Sequence, residues 1–380
     1  MLENLVNDFK NAAPEFIETG CIVNGTLLKL EDVEKMGWKE FASQSKLYMP
    51  TKLYKYFPNK EVKTNDGALV NYSIQALENN TVYMQSPSNF DDVYDSDIYV
   101  DYSEYERLRL IQCCHRCKID VDECLSTNEI GTIFLKTVYD SFYAHMSYDY
   151  IFTKPFDTEV ERLENKCFCL QLWVEMQKTD DLGKGLSAVL SKEYCNLITE
   201  LKTKFRVSCF ATTPFSQLMW GGMYADCHRG FCLEYTVLPN EETYKDVYYN
   251  LFPMIYCKKR SNITSSLVAM QGKNISMDEL WNIYFHGALR KSIDWVFQNE
   301  WRLLLPLGNH CKDYNVQFFP ITKVFLGNHM PYNQRKQIID ICNRKGIPYI
   351  GVRKSQQKFE MQECEIKCEN CHNYINKIDE

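Results

Sequence analysis

Apolar positions recur at helical spacing at the start of the chain, through Leu2, Leu5, Val6 and Phe9 and again through the run LKLEDVEKMGWKEFAS. Residues 1 to about 45 are therefore predicted mainly helical, with Gly37 ending or kinking the second run. The period then changes to two. KLYKYF, Lys52 to Phe57, reads as a strand closed by Pro58-Asn59, and TVYMQS as a second strand. Between them a helix is predicted from about Leu69 to Glu78, stopped by Asn79-Asn80. PSNFDDVYDSDI follows as an acidic loop. From Tyr102 to about Glu200 charged and apolar residues mix at helical period, with little strand character, which predicts a helical insertion of about a hundred residues.

Beyond the insertion, FRVSCFATTPFSQLMWGGMYADCHRGFCLEYTV, Phe205 to Val237, reads as strand, polar turn, strand. Its two apolar arms flank Gln217, Trp220, Tyr224, Asp226, His228 and Arg229, with Gly221, Gly222 and Gly230 loosening the turn. A short strand is expected near Met254 to Cys257 and a helix from Met277 to about Ser292. IDWVFQNEWRLLLP reads as one strand ending at Pro306, whose alternation places Val296, Gln298, Glu300 and Arg302 on one face. KVFLG, YNQRKQIIDICNRKG and IPYIGVRK then form a strand, a helix stopped by Gly346, and a strand. The pattern predicts an α+β fold with a mixed β-sheet core. Residues 1–48 form an N-terminal helical cap, 49–355 a core domain carrying the insertion at about 102–200, and 356–380 a Cys-rich polar tail.

At 380 residues the chain can bury a large core. Its net charge of −7 argues against a general nucleic-acid coating role, while leaving room for a local basic groove. No apolar run reaches the ~18–20 residues that span a bilayer, and the acidic N-terminus is unlike a secretory signal. A soluble cytoplasmic protein is expected. The 17 cysteines, an odd count in a long chain, then read as reduced thiols. Cys113, Cys114, His115 and Cys117 form one cluster, and Cys364, Cys368, Cys371 and His372 another. Neither offers the two paired knuckles of a structural zinc site, so zinc is the lesser reading. P-loop, GxGxxG, GxSxG and HExxH motifs are absent.

The ordered set LYKYF, TVYMQSPSNFDDVYD, VSCFATTPFSQLMWGGMYADCHRGFCLEY, FQNEWRLLLP and KVFLG resembles the bacterial family called domain of unknown function 2971. The likeness covers about residues 52 to 355 and is interrupted by the insertion. The chain departs from that pattern at Phe90-Asp91-Asp92-Val93, where the family reads Phe-Asn-Asp-Pro, and at Gly222-Met223, where members carry a histidine. The order of parts is also similar to the ADP-ribosyltransferase superfamily. That likeness implies an NAD-consuming enzyme, a bacterial toxin or anti-phage effector, modifying a protein or nucleic-acid acceptor.

On that resemblance Glu300 is the first candidate catalytic group, a carboxylate that holds a ribose hydroxyl and offsets the positive charge developing as a glycosidic bond breaks. Its alternative is an ordinary ion pair with Arg302 or a lysine on a sheet face. Tyr224 and His228 complete the catalytic set. Tyr54, Lys55, Trp220, Arg229 and Arg302 are the candidates for holding the dinucleotide, by ring stacking or by cationic contact with phosphate. Alternation puts Tyr54 and Tyr56 on one strand face and Lys55 on the other, so all three cannot serve together. For Trp220 core packing is the stronger alternative, and for His228 and Arg229 a structural tie to Asp226. A second enzyme reading is a metal-dependent nuclease using Asp92, Asp95 and Glu300. For Asp91, Asp92 and Asp95, Asx turns and caps are the competing explanation. The non-enzymatic reading is a sensor or scaffold that binds a partner protein at the helical insertion, with Glu300 paired away from any cleft.

Overall fold

The computed structural model describes residues 18–64, 67–90, 92–145, 182–271, 275–306 and 314–365, with Phe168, Gln171, Leu172, Val174, Glu175 and Lys178. The predicted helix through Leu2 to Phe9 and most of the Cys-rich tail lie outside them. Helices and mixed sheets make the fold α+β. The chain divides into two compact units. One holds residues up to Asp95, then Thr203–Lys259, and everything from Leu289. The other holds Ser96–Lys202 and Arg260–Ala288.

The first unit is built on a five-stranded sheet in the order Met361–Glu363, Tyr349–Lys354, Ile321–Leu326, Phe231–Thr236, Lys52–Phe57. Only the Ile321–Leu326 and Tyr349–Lys354 pair is parallel, and the Tyr332–Lys345 helix joins them, as a parallel connection requires. Period-two alternation sorts the side chains. Phe231, Leu233, Tyr235, Val324 and Leu326 face one core with Leu77 and Ile338 of the two helices that cover it. Cys232, Phe325 and Val352 face a second core with Tyr56 and Trp220. The Tyr72–Asn79 helix starts where the Asn71 side chain accepts from the Ile74 N–H (3.1 Å). It ends at Asn80, in the left-handed region at φ 54°, close to the predicted stop.

A second sheet of this unit pairs Phe205–Phe210 with Trp301–Pro306 and that strand with Leu251–Pro253, all antiparallel. The free edge of Phe205–Phe210 meets other strands at two points. Ala211 exchanges both backbone hydrogen bonds with Tyr54 (2.7 and 2.8 Å), and Val207 does so with Gln85 (2.9 and 3.1 Å). Between these two bridges the strands diverge, and the gap holds the site described below.

Three local readings change, one of them at the helix expected from Met277 to about Ser292, which ends at His286 before the Arg290–Ser292 strand. The first 45 residues were expected to be mainly helical, yet Gly20–Val23 and Thr26–Lys29 form a hairpin around Asn24-Gly25, both at positive φ. Asn-Gly between short apolar runs is the strongest local hairpin signal, and here it overrides the helical periodicity around it. The hairpin extends through Ile255–Cys257 to Arg290–Ser292 in a four-stranded sheet. The helix that follows, Leu30–Leu47, is kinked at Gly37 (φ 70°). The third change lies in IDWVFQNEWRLLLP. Ile293–Gln298 is a 3-10 segment, Asn299 takes left-handed geometry (φ 40°), and the strand begins only at Trp301. The single buried strand therefore breaks at its one polar tripeptide, Gln298-Asn299-Glu300. Glu300 and Arg302 still lie on one side of the chain across Trp301.

The second unit is helical in its described residues, with Tyr102–Arg116, Thr127–His145, Leu182–Thr203, Thr264–Met270 and Met277–His286. Leu110, Cys113, Phe134, Leu186 and Leu190 form its apolar core. Arg109 is buried there against Glu193 through bonds of 2.8 and 3.1 Å. Cys113, Cys114 and Cys117 are buried free thiols. Among the described residues no helix is long and apolar enough to cross a membrane.

Two glycines should both lose stability on the same change, but for different reasons and by different amounts. A Cβ on Gly230 would stand 1.9 Å from the Phe57 carbonyl oxygen, so Gly230→Ala is expected to cost at least 1–3 kcal/mol through a forced backbone shift. Gly346 has open space but left-handed φ (68°), so Gly346→Ala should cost only about 1 kcal/mol. Urea unfolding of the two variants checks the ranking.

Candidate active site

A cavity of about 270 Å³ opens where the Lys52–Phe57 strand parts from Phe205–Phe210. Residues from both strands line it, with Tyr83, Phe90, Asp92 and Asp95 from the acidic loop and its preceding strand, Tyr224 from the turn before Phe231, and Lys291, Trp295, Gln298 and Glu300. All of them belong to the first unit. About a third of its lining residues are aromatic, and its floor is charged.

The floor is a four-membered network. Lys291 Nζ lies 3.0 Å from both Asp95 and Glu300. Arg302 Nε donates to Glu300 at 2.5 Å, and its NH2 group to Asp95 at 2.7 Å. All four residues are buried, Arg302 completely. Two positive and two negative charges cancel, which is what permits such groups to leave water together. Burial opposes ionisation of Asp95 and Glu300, but Arg302 and Lys291 outweigh it and hold both carboxyls below their usual range. Burial likewise disfavours the Lys291 ammonium, and Glu300 and Asp95 more than restore it. The rest of the setting fixes geometry. Glu300 N–H donates to the Tyr256 hydroxyl (2.8 Å), Arg302 sits 5.7 Å from the Phe90 ring centre, and Lys291 5.2 Å from that of Trp295.

Lys55 stands on another wall. Its ammonium donates to the Ser208 hydroxyl (3.1 Å) and the Cys209 carbonyl (3.0 Å), inside the gap between the two strand bridges, and lies 5.1 Å from the Phe210 ring centre. Burial lowers its pKa. Burial also pushes the neighbouring Cys209 thiol up to about 12, which leaves it protonated and a poor nucleophile. Tyr224, 40% exposed, is joined to the floor through Gln298, whose amide donates to the tyrosine oxygen at 2.7 Å.

Of the residues singled out from the sequence, Glu300, Arg302, Lys55 and Tyr224 come together here. The alternation of Lys52–Phe57 holds: Lys55 faces the gap, while the Tyr54 phenol turns to buried Glu234 (3.1 Å) and that of Tyr56 to the Thr213 carbonyl (2.9 Å). Tyr54 therefore borders the cavity with its hydroxyl engaged elsewhere. Four candidates stand outside the cavity lining, and one of them is Arg302, which is fully buried behind Glu300 and Asp95 and so cannot itself touch a dinucleotide phosphate. Trp220 is fully buried, donates to the Pro214 carbonyl (2.7 Å) and packs on Tyr56, so it offers no stacking face. His228 lies parallel to the Trp220 ring and near His329, and burial together with His329 lowers its pKa. Arg229 is exposed and holds Asp226 at 3.0 and 3.1 Å. Asp226, Cys227 and His228 all adopt positive φ, a strained left-handed run that aims this turn away from the cavity.

The carboxylates of the nuclease reading converge only in part. Asp95 and Glu300 share the floor but face Lys291 and Arg302, which neutralise the charge a divalent cation would need. Asp92 closes an Asx turn onto the Tyr94 N–H (2.9 Å), and Asp91 lies outside the described residues. Among the described residues no group of three or more metal-ligating side chains is present. Cys364 is buried, and Cys368, Cys371 and His372 lie outside the described residues.

Sequence reasoning missed Lys291 and Gln298 as site residues and gave Asp95 only to the nuclease. Lys291 sat in a stretch read as the end of a helix, where lysine is unremarkable. The strand that buries it, Arg290–Ser292, is polar and only three residues long, so no period marked it.

The model of a family described as protein of unknown function, DUF2971, matches residues 219–303 of this chain. That span carries Tyr224, Lys291, Gln298, Glu300 and Arg302, whereas Lys55 and Asp95 lie before it. No curated protein and no solved structure matches the chain.

Removing one member of the network should cost far more than an exposed pair would. Arg302→Met leaves two buried carboxylates with one cation and is expected to lose about 3–5 kcal/mol, read by urea unfolding at pH 7. The carboxylates have depressed folded-state pKa values. Their contribution is therefore present above the unfolded value near 4 and is lost as pH falls toward the lower folded values. The stability of the unmodified protein should drop below about pH 5, and that of Asp95→Asn should drop less steeply over the same interval.

Proposed function

We propose that this cavity binds the reacting half of NAD and that the protein is an ADP-ribosyltransferase-like enzyme. The observation that carries this reading is Glu300, a carboxylate held ionised at the wall of a partly aromatic cavity beside Lys55 and Tyr224. A carboxylate has about four lone-pair sites, and Arg302 and Lys291 use one on each oxygen, so each oxygen retains capacity to accept from a ribose hydroxyl. As the bond between ribose and nicotinamide breaks, the electron pair leaves with nicotinamide and positive charge grows on the ribosyl carbon. A fixed anion at that point lowers the barrier. The acceptor, a protein or nucleic-acid nucleophile, then forms the new bond and gives up its proton. At about 270 Å³ the cavity lies at the small end of ligand sites and suits one half of a dinucleotide, with the other half outside it.

One observation favours a second, non-catalytic reading. Glu300 is charge-paired by Lys291 and Arg302, as that reading expects, although it lines the cavity instead of lying away from any cleft.

Purified protein with NAD and cell extract should release nicotinamide, and Glu300→Gln should reduce that release about 10²–10³-fold. Lys55→Met should chiefly raise KM. Binding of NAD without release would favour the sensing reading, and neither binding nor release would reject both.

A further inference from the structure

The hydrogen bonds along one wall have a fixed direction. An ammonium can only donate, so Lys291 Nζ, 2.8 Å from the Gln298 side chain, compels the amide to present its oxygen. The amide nitrogen is thereby turned toward Tyr224 and donates to the phenol oxygen at 2.7 Å. A phenol that accepts there keeps its own proton to give elsewhere. Gln298 is 4% exposed and Lys291 8%, so the relay is shielded from competing water, while its end, Tyr224, is 40% exposed and borders the cavity. Burial raises the Tyr224 pKa, which keeps that proton in place near neutrality. The three Lys291 protons are all committed, to Gln298, Glu300 and Asp95. Lys55 is different: its ammonium has three protons, and two are given to Ser208 and Cys209. Two cavity walls thus each present an uncommitted donor.

We infer that Lys291 and Gln298 are positioning residues that fix Tyr224 as a hydrogen-bond donor, and that Tyr224 and Lys55 together select a ligand carrying an anionic oxyacid group. Phosphate and carboxylate share this chemistry. The inference rests on the cavity being the ligand site proposed above, but not on any reaction occurring there. An acceptor-rich anion satisfies both donors, whereas a ligand of the same ring without it covers the half-buried Lys55 ammonium and leaves its third proton unmet, which is costly.

The test is calorimetric titration of the full chain with two matched pairs: nicotinamide mononucleotide against nicotinamide riboside for phosphate, and nicotinate against nicotinamide for carboxylate. The anionic member of at least one pair should bind ten-fold or more tightly than its partner, and the pair that shows the preference identifies the group. Lys55→Met and Tyr224→Phe should each bring that ratio to within about threefold. Gln298→Leu should lower the ratio as Tyr224→Phe does, and the double variant should lower it no further, which two independent structural losses would not do. Equal affinities within both pairs, no binding of any probe, or an unaltered ratio in Lys55→Met would overturn the inference. Nicotinamide release from NAD is read separately. A preserved ratio without release rejects only the transferase reading, and release without a ratio rejects only this one.

Discussion

Two carboxylates and two cations with almost no access to water sit at the centre of the first unit, and each is tolerable only because the other three are present. Asp95, Glu300, Lys291 and Arg302 come from four separate places in the chain: the acidic loop, the residue before a strand, a three-residue strand and a central strand. Their mutual neutralisation fixes where those pieces meet. Replacing the whole set by apolar groups of equal volume would often be no less stable in a protein interior, so a network of this kind is weak evidence for stability as such. Its position at the floor of a cavity, with Asp95, Glu300 and Lys291 in the lining, fits a role in presenting charge to a ligand.

The cavity owes its existence to a sheet that is joined incompletely. Tyr54 with Ala211 and Gln85 with Val207 pin the edge of Phe205–Phe210 at two points, and between them Ser208 and Cys209 face a gap instead of a partner strand. Lys55 fills part of that gap by donating to both. The Cys209 carbonyl and the Ser208 hydroxyl are thus met by a side chain, and the same side chain keeps one donor in reserve. At the opposite wall the order of hydrogen bonds from Lys291 through Gln298 to Tyr224 carries the polarity of the buried floor to the mouth.

The strands, the parallel crossover and the general α+β plan were legible because period-two and period-3.6 patterns dominate those segments, as in Phe231–Thr236 and Tyr332–Lys345. The face shared by Glu300 and Arg302 was legible for the same reason, and so was the separation of Lys55 from Tyr54 and Tyr56. The hairpin at Gly20–Lys29 was readable from Asn24-Gly25, but helical spacing on either side obscured it. Lys291 and Gln298 could not be found, since a three-residue strand and a 3-10 segment have no period to read. The polar turn at Asp226–Arg229 misled for a different reason. Its residues have the chemistry of a site, but three successive left-handed conformations and the packing of His228 on Trp220 direct them elsewhere, and nothing in the local pattern announces that geometry.

The central claim is that the cavity floored by Glu300 takes an NAD-type dinucleotide. The most direct measurement is calorimetric titration of the purified chain with NAD, alongside Lys55→Met. One-to-one binding is expected, weakened at least ten-fold in the folded variant. Absence of heat at millimolar NAD, or equal binding by both proteins, would contradict it.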